Sequence, residues 1–169
     1  MPDIISVPLA GYHSRGDFKS GNLLLDRYLQ MQSKQDVKKK LAACFIIEDE
    51  KDAERIKGYY TLSACSITQP FIPELYRKHL PPSYSAIPAT LLGRLAREVH
   101  YQNLGIGELL LLDALYRCHL AAREIASFAV IVDPIDEKAI QFYQRYGFIT
   151  LPDSDKLFLP MKTIDQLFT

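Results

Sequence analysis

The stretch "YQNLGIGELLLLDALYRC", Tyr101 to Cys118, sets a polar, glycine-broken turn directly before a leucine run. Ahead of it lies "ATLLGRLAREV", which begins at Ala89 and reads as a strand. A strand that turns through two glycines into a helix leaves backbone amides at the helix start without carbonyl partners, and such amides bind anions. Gly105 and Gly107 remove side chains that would keep a bulky pyrophosphate away. Two better-known phosphate loops do not fit. The dinucleotide fingerprint needs a third glycine where Leu110 stands, and the Walker loop needs Gly-Lys-Ser/Thr where Glu108 stands. What remains is Gln102-Asn103-Leu104-Gly105-Ile106-Gly107, a Q-x-x-G-x-G turn. Two readings are open: an anion cradle, in which case Glu108 must point outward, or a tight turn that serves helix packing alone.

The remaining chain supplies the frame. Ile4 to Leu9 is a short strand candidate. Ser20-Gly21-Asn22 reads as a turn and cap before a helix over Leu23 to Gln35, with Leu24, Tyr28 and Met31 on one face. An apolar run from Leu41 enters a turn at residues 49–54, and Ile56 to Ile67 returns as the second strand of a hairpin. Pro73 opens a short helix that ends near His79. The helix after the glycine turn spans about Gly107 to Arg123. Its apolar face is Leu111, Ala114, Leu115, Cys118 and Ala122, with Asp113 and Arg117 an i,i+4 pair on the other side. "IASFAVIV" is a buried strand. Asp136 caps a further helix that stops at Gly147, and the tail forms two strands around Asp153-Ser154-Asp155. The order predicts a single α/β (α+β) domain over residues 1–169 with several antiparallel neighbours.

Composition narrows the partners only weakly. The chain has 169 residues, 48% hydrophobic and 24% charged, which suits one globular domain with a real core. Lys plus Arg equals Asp plus Glu, 20 against 20, so net charge argues neither for nor against a nucleic-acid partner. Cys44, Cys65 and Cys118 have no metal-ligand or redox spacing and read as buried thiols, and no metal is expected. The N-terminal residues lack a basic segment followed by an apolar one, and no apolar run approaches the ~18 residues of a membrane span. A cytoplasmic protein without a membrane association is the expectation.

A second motif lies near the C-terminus. "DEKAIQFYQRYGF" places Asp136, Ala139, Phe142, Tyr143, Gly147 and Phe148 in the pattern N/D-x-x-A-x-x-F-Y-x-x-x-G-F. With the Q-x-x-G-x-G turn upstream and a strand between, the chain closely resembles the GNAT acetyltransferase superfamily, in which that turn binds the pyrophosphate of acetyl-CoA. "LLGRLA" (Leu91 to Ala96), "GYYTLSACSI" and "DFKSGNLLLDRYL" further resemble the TacT/AtaT-type toxins of toxin–antitoxin pairs. This chain departs from them with Ser20 for a cysteine, Arg97 for a valine, Asn103 for a glycine, Leu104 for a basic residue and Val132-Asp133-Pro134 for V-H-A.

The resemblance implies a GNAT fold: a single mixed, mostly antiparallel sheet, splayed at the acetyl-CoA site and flanked by helices. It implies acetyl-CoA as cosubstrate, held by Leu95, Ala96 and Arg97 on the strand, by Gln102, Asn103, Leu104, Gly105, Ile106 and Gly107 in the turn, and by Asp136, Ala139 and Phe142. The free N–H groups of Leu95 and Arg97 would polarise the thioester carbonyl. Tyr143 would be the general acid for the leaving thiolate; its alternative is a core aromatic at a helix end. No strong base stands out, although Glu98 and His100 lie at the strand end, and an aminoacyl ester amine needs none.

Basic residues cluster at Lys34 and Lys38 to Lys40, at Arg77 and Lys78, and at Arg94 and Arg97. Lys38, Lys39 and Arg94 are the candidate tRNA contacts. The lysines also fit a solvated helix C-terminus. The first functional expectation is a toxin that acetylates the α-amine of aminoacyl-tRNA, dimerises and is paired with a ribbon-helix-helix antitoxin. The others are an acetyltransferase for a small-molecule or protein amine, and a non-catalytic acetyl-CoA-binding repressor component.

Overall fold

In the computed structural model, which describes residues 3–169, the chain runs β1 (Val7–Pro8), α1 (Leu23–Arg27), a π-helical turn (Tyr28–Gln32), α2 (Ser33–Lys38), β2 (Ala43–Glu48), β3 (Ile56–Thr68), α3 (Glu74–Arg77), β4 (Ala86–Arg97), α4 (Ile106–Ala121), β5 (Ala129–Val132), α5 (Glu137–Arg145), β6 (Ile149–Thr150), β7 (Leu157–Pro160) and α6 (Met161–Leu167). The strands form one sheet in the order β1-β2-β3-β4-β5-β7-β6. β1–β2, β2–β3, β5–β7 and β6–β7 pair antiparallel, and β4–β5 pair parallel. Glu98 N–H donates to Lys57 O and Gln69 N–H to Ser85 O, so β3 and β4 also run in opposite directions. The expected mixed, mostly antiparallel sheet flanked by helices is therefore present.

The chain divides into two compact units. One comprises the chain through Ser63 plus Gly93–Arg117, and the other Ala64–Leu92 plus Cys118–Thr169. The first is built on Phe18, Tyr28, Leu29, Ile46, Tyr59 and Ala96, with Phe18 and Tyr59 meeting edge to face at 5.4 Å. The second is built on Ile67, Ile72, Ile87, Ile131, Leu151 and Phe158, where Tyr76 meets Phe158 edge to face at 5.5 Å. Cys44 and Cys118 are buried, and burial pushes both thiols up to about 12. Among the described residues, no helix is long and apolar enough to cross a membrane.

Local signals placed most elements. Asn22 caps α1 by accepting from Leu24 and Leu25 N–H, and Asp136 caps α5 by accepting from Ala139 N–H. Gly147 ends α5 at φ +94°. Three expectations need correction. The helix from Leu23 is broken by the π-helical turn, which shifts the inward face to Leu29, Ser33 and Asp36. Leu24 and Met31 are consequently 71% and 78% exposed, while Tyr28 alone of that trio is buried. Helix α6, absent from the expected order, follows Pro160 and buries Met161 and Ile164.

The third correction concerns α4. Asp113 does not face solvent; it is buried and accepts hydrogen bonds from Ile5 N–H (2.7 Å), Tyr60 OH (2.7 Å) and the Ser6 hydroxyl. Arg117 lies 3.9 Å from Asp113, donates to Ser6 Oγ and Ser6 O, and sits 3.8 Å from the Phe45 ring centroid. The pair fastens the N-terminal segment across α4. Removing this charged acceptor strips the buried Ser6 and Tyr60 of their anionic partner, so Asp113→Ala should lower unfolding free energy by ~2–3 kcal/mol, with Tyr60→Phe costing about 1 kcal/mol. Urea unfolding of the two variants checks this; equal losses would contradict the central role of the carboxylate.

Candidate active site

Strand β4 pairs with β5 through Thr90–Val130, Leu91–Ile131 and Leu92–Val132, where β5 ends, and β4 itself continues to Arg97. Glu98 N–H is spent on Lys57 O of β3. Successive N–H groups of a strand alternate between its two edges. The N–H groups of Arg97 and Leu95 therefore face the opposite edge, the orientation a carbonyl acceptor requires. The Ala96 side chain, perpendicular to that edge, packs into the core with Tyr28 and Tyr59.

Past β4 the chain makes a short 3-10 turn, Val99–Tyr101, and enters the glycine turn. Asn103 has φ 62° and Gly105 φ 72°, so left-handed residues alternate with Leu104 between them. Such alternation brings successive N–H groups to one side as an anion nest. Gly105 O accepts from Leu109 N–H (3.0 Å), which places Gly105 at the helix cap and leaves the amides of Ile106, Gly107 and Glu108 without intrahelical acceptors. A Cβ on Gly105 would meet nothing within 4 Å. The glycine is thus demanded by φ, and the space beside it is open. Ile106 is buried as an anchor, whereas Gln102, Asn103, Leu104 and Glu108 are exposed.

Tyr143 sits in the other unit, on α5. Its ring is buried, 5.3 Å from each of the Phe142 and Phe148 rings. Burial raises its phenol above the ordinary value, so the proton is held throughout the neutral range. Ala139 N–H is committed to the Asp136 carboxylate at 2.8 Å. A proton-bearing hydroxyl on a rigid helix suits a donor to a leaving thiolate.

The basic residues are not alike. Lys38, Lys39 and Lys40 are exposed at the end of α2. Arg94 is half-buried with its guanidinium 3.5 Å from the Tyr28 ring centroid. That cation–π contact accounts for a charge which the sequence alone leaves in search of an anion. Sequence reasoning also left open what Glu98 does. Its buried carboxylate accepts from His100 N–H (3.1 Å) and His100 Nδ1 (2.7 Å), and lies 3.7 Å from Arg55. It thereby caps the 3-10 turn that leads into the glycine turn, and Glu98 and His100 line a cleft of about 350 Å³ with Ser14, Asp17 and Arg55. The E-x-H spacing was the available signal.

No family model matches the chain. It is 32% identical over 146 residues to the tRNA-acetylating toxin of Mycobacterium tuberculosis (strain ATCC 25618 / H37Rv), covering 86% of this chain and 84% of that one. Its structure is similar to AtaT complexed with acetyl-methionyl-tRNAfMet, with a TM-score of 0.89 and 27% identity over 99% of this chain and 100% of that one. It is also similar to a tyrosine-to-phenylalanine mutant of AtaT bound to the C-terminus of the antitoxin AtaR and acetyl-CoA, with a TM-score of 0.82 and 25% identity over 97% of each chain. The chain belongs to the family of tRNA-acetylating toxins.

The turn geometry makes a distinct prediction. Gly105→Ala forces an alanine into the left-handed region and should cost about 1 kcal/mol of stability. Gly16→Ala, where a Cβ also meets nothing within 4 Å and φ is ordinary, should change stability by less than about 0.5 kcal/mol. Thermal melts of both variants check the pair; equal shifts would mean that φ at Gly105 is not the constraint.

Proposed function

We propose that the protein is an acetyl-CoA-dependent N-acetyltransferase that acetylates the α-amine of aminoacyl-tRNA and blocks translation. Kinship with a tRNA-acetylating toxin across 86% of the chain carries this reading. Acetyl-CoA supplies the acetyl group as a thioester. The amides of Gln102, Asn103, Leu104, Gly105, Ile106 and Gly107 hold its pyrophosphate at the start of α4. The N–H groups of Leu95 and Arg97, with Ala96 between them holding β4 to the core, receive the thioester carbonyl oxygen and stabilise the charge that develops on it. Ala139 and Phe142 flank the pantetheine, and Asp136 fixes that end of α5 through its cap. Tyr143 gives its proton to the departing thiolate.

The chemistry asks little more of the chain. An ordinary α-amine has a pKa of about 7.7–8.0, and esterification of its carboxyl lowers that further. The attacking amine is substantially neutral at pH 7, so no strong base is required. Lys38 and Lys39, exposed at the end of α2, take tRNA phosphates, while Arg94 stays on the Tyr28 ring. In this reading the whole chain, residues 1–169, works as one domain, acts in the cytoplasm as a homodimer, and is restrained by a ribbon-helix-helix antitoxin.

Expression of the wild-type chain should arrest growth, and Tyr143→Phe should relieve the arrest while lowering transfer ~10²–10⁴-fold. Healthy growth on wild-type expression would count against the toxin reading. The pH profile separates the acid from the amine. The rate should climb between pH 6 and 8 as the amine loses its proton. It should not fall by pH 9.5, because burial keeps Tyr143 protonated beyond its ordinary value near 10. Stopped-flow release of the thiol measures this, and a decline centred below pH 9 would assign the acid to another group.

A further inference from the structure

Arg97 is the one residue of β4 whose side chain the fold leaves unexplained. Its Nε is buried and has no hydrogen-bond partner, and among the described residues its guanidinium makes no ion pair. Burying part of a charged group without a partner is costly. The other cations of its unit near this strand are committed: Arg94 to the Tyr28 ring, Arg117 to Ser6 and Asp113, Arg55 to Glu98, and Lys57 to Glu50 at 2.7 Å.

The direction of Arg97 follows from strand alternation. Ala96 and Tyr59 lie in the same core cluster, so their neighbours Arg97 and Gly58 point to the other face of the sheet. That face is covered by α4, because a Cβ on Gly58 would stand 2.7 Å from Leu110 Cδ1. Leu110 is four residues into α4, ~6 Å along the axis from Ile106. Arg97 therefore lies on the face that α4 covers, at the end of β4 from which the chain passes directly through the glycine turn into the first turn of α4. From Glu98 to Tyr116 the sequence contains no Lys or Arg, and the first helical turn carries Glu108. A pyrophosphate bound there would meet neutral amides and one carboxylate, with no cation from the turn itself.

We propose that the Arg97 guanidinium supplies that missing charge and donates to the pyrophosphate of the CoA moiety. The inference rests on the acetyl-CoA reading and assigns the side chain of Arg97, not its amide, to phosphate recognition. A charge-assisted hydrogen bond to phosphate completes the buried Nε and neutralises the ligand in one contact.

The test is calorimetric titration of the wild type, Arg97→Val, Arg97→Gln and Arg97→Lys with CoA, dephospho-CoA and S-acetylpantetheine, alongside melting of the free proteins. Arg97→Val and Arg97→Gln should weaken CoA and dephospho-CoA binding roughly 10- to 100-fold. Their affinity for S-acetylpantetheine, which lacks the pyrophosphate, should stay within about 2-fold. Arg97→Lys should recover part of the loss, and the free variants should melt no lower than wild type. Unchanged CoA affinity would overturn the proposal. So would equal losses for CoA and S-acetylpantetheine, which indicate a structural role. A loss confined to CoA and absent with dephospho-CoA would move the contact to the 3′-phosphate and overturn it too. Wild-type protein that binds no acetyl-CoA would instead defeat the functional reading on which the inference stands.

Discussion

Strand β4 pairs with β5 through Thr90–Val130, Leu91–Ile131 and Leu92–Val132, after which β5 ends and β4 runs on to Arg97. A strand edge released from its neighbour exposes N–H groups that need acceptors. β3 claims Glu98 N–H on one side, so the amides of Leu95 and Arg97 remain on the other. The same strand then delivers the chain, through the Glu98-capped 3-10 turn, into a turn whose φ reversals at Asn103 and Gly105 open the start of α4. The backbone amides proposed to receive the thioester carbonyl and those proposed to hold the pyrophosphate thus belong to one continuous run, and their spacing is fixed by strand and turn geometry more than by any side chain.

That arrangement needs α4 to be rigid. The helix buries Leu110, Leu111, Ala114, Leu115 and Cys118, and it also takes Asp113 inside. Four donors, the N–H groups of Ile5 and Ser6 and the hydroxyls of Ser6 and Tyr60, converge on that carboxylate. A buried carboxylate so satisfied fixes the helix in rotation as well as position, which a purely apolar interface does less well. A few other charged residues, Asp26, Asp36, Lys57 and Glu98, are also buried. Arg94 on Tyr28 and Arg117 on Phe45 are both cations laid on aromatic faces.

The motifs that carry the site were legible because they are local. The Q-x-x-G-x-G turn, the Asp136 cap and the Gly147 stop each follow from residues a few positions apart, and the structure places a turn or cap at each. What escaped the sequence depends on partners far along the chain. Asp113 looks like half of a surface i,i+4 pair until Ser6, 107 residues away, reaches it. The π-helical turn at Tyr28–Gln32 rephases a helix whose periodicity otherwise puts Leu24 and Met31 inside. Arg94 and Arg97 carry the same charge three positions apart, yet strand alternation sends one to an aromatic ring and leaves the other without a partner. Only the sheet decides which of them still seeks an anion.

The central claim is acetyl transfer from acetyl-CoA to the α-amine of aminoacyl-tRNA. Its most direct test is incubation of the protein with labelled acetyl-CoA and total charged tRNA, followed by mass analysis of the aminoacyl groups released from the tRNA. The account predicts labelled N-acetyl-aminoacyl products that require the wild-type protein. Label found only on free small amines or on protein, with unmodified aminoacyl groups, would contradict it.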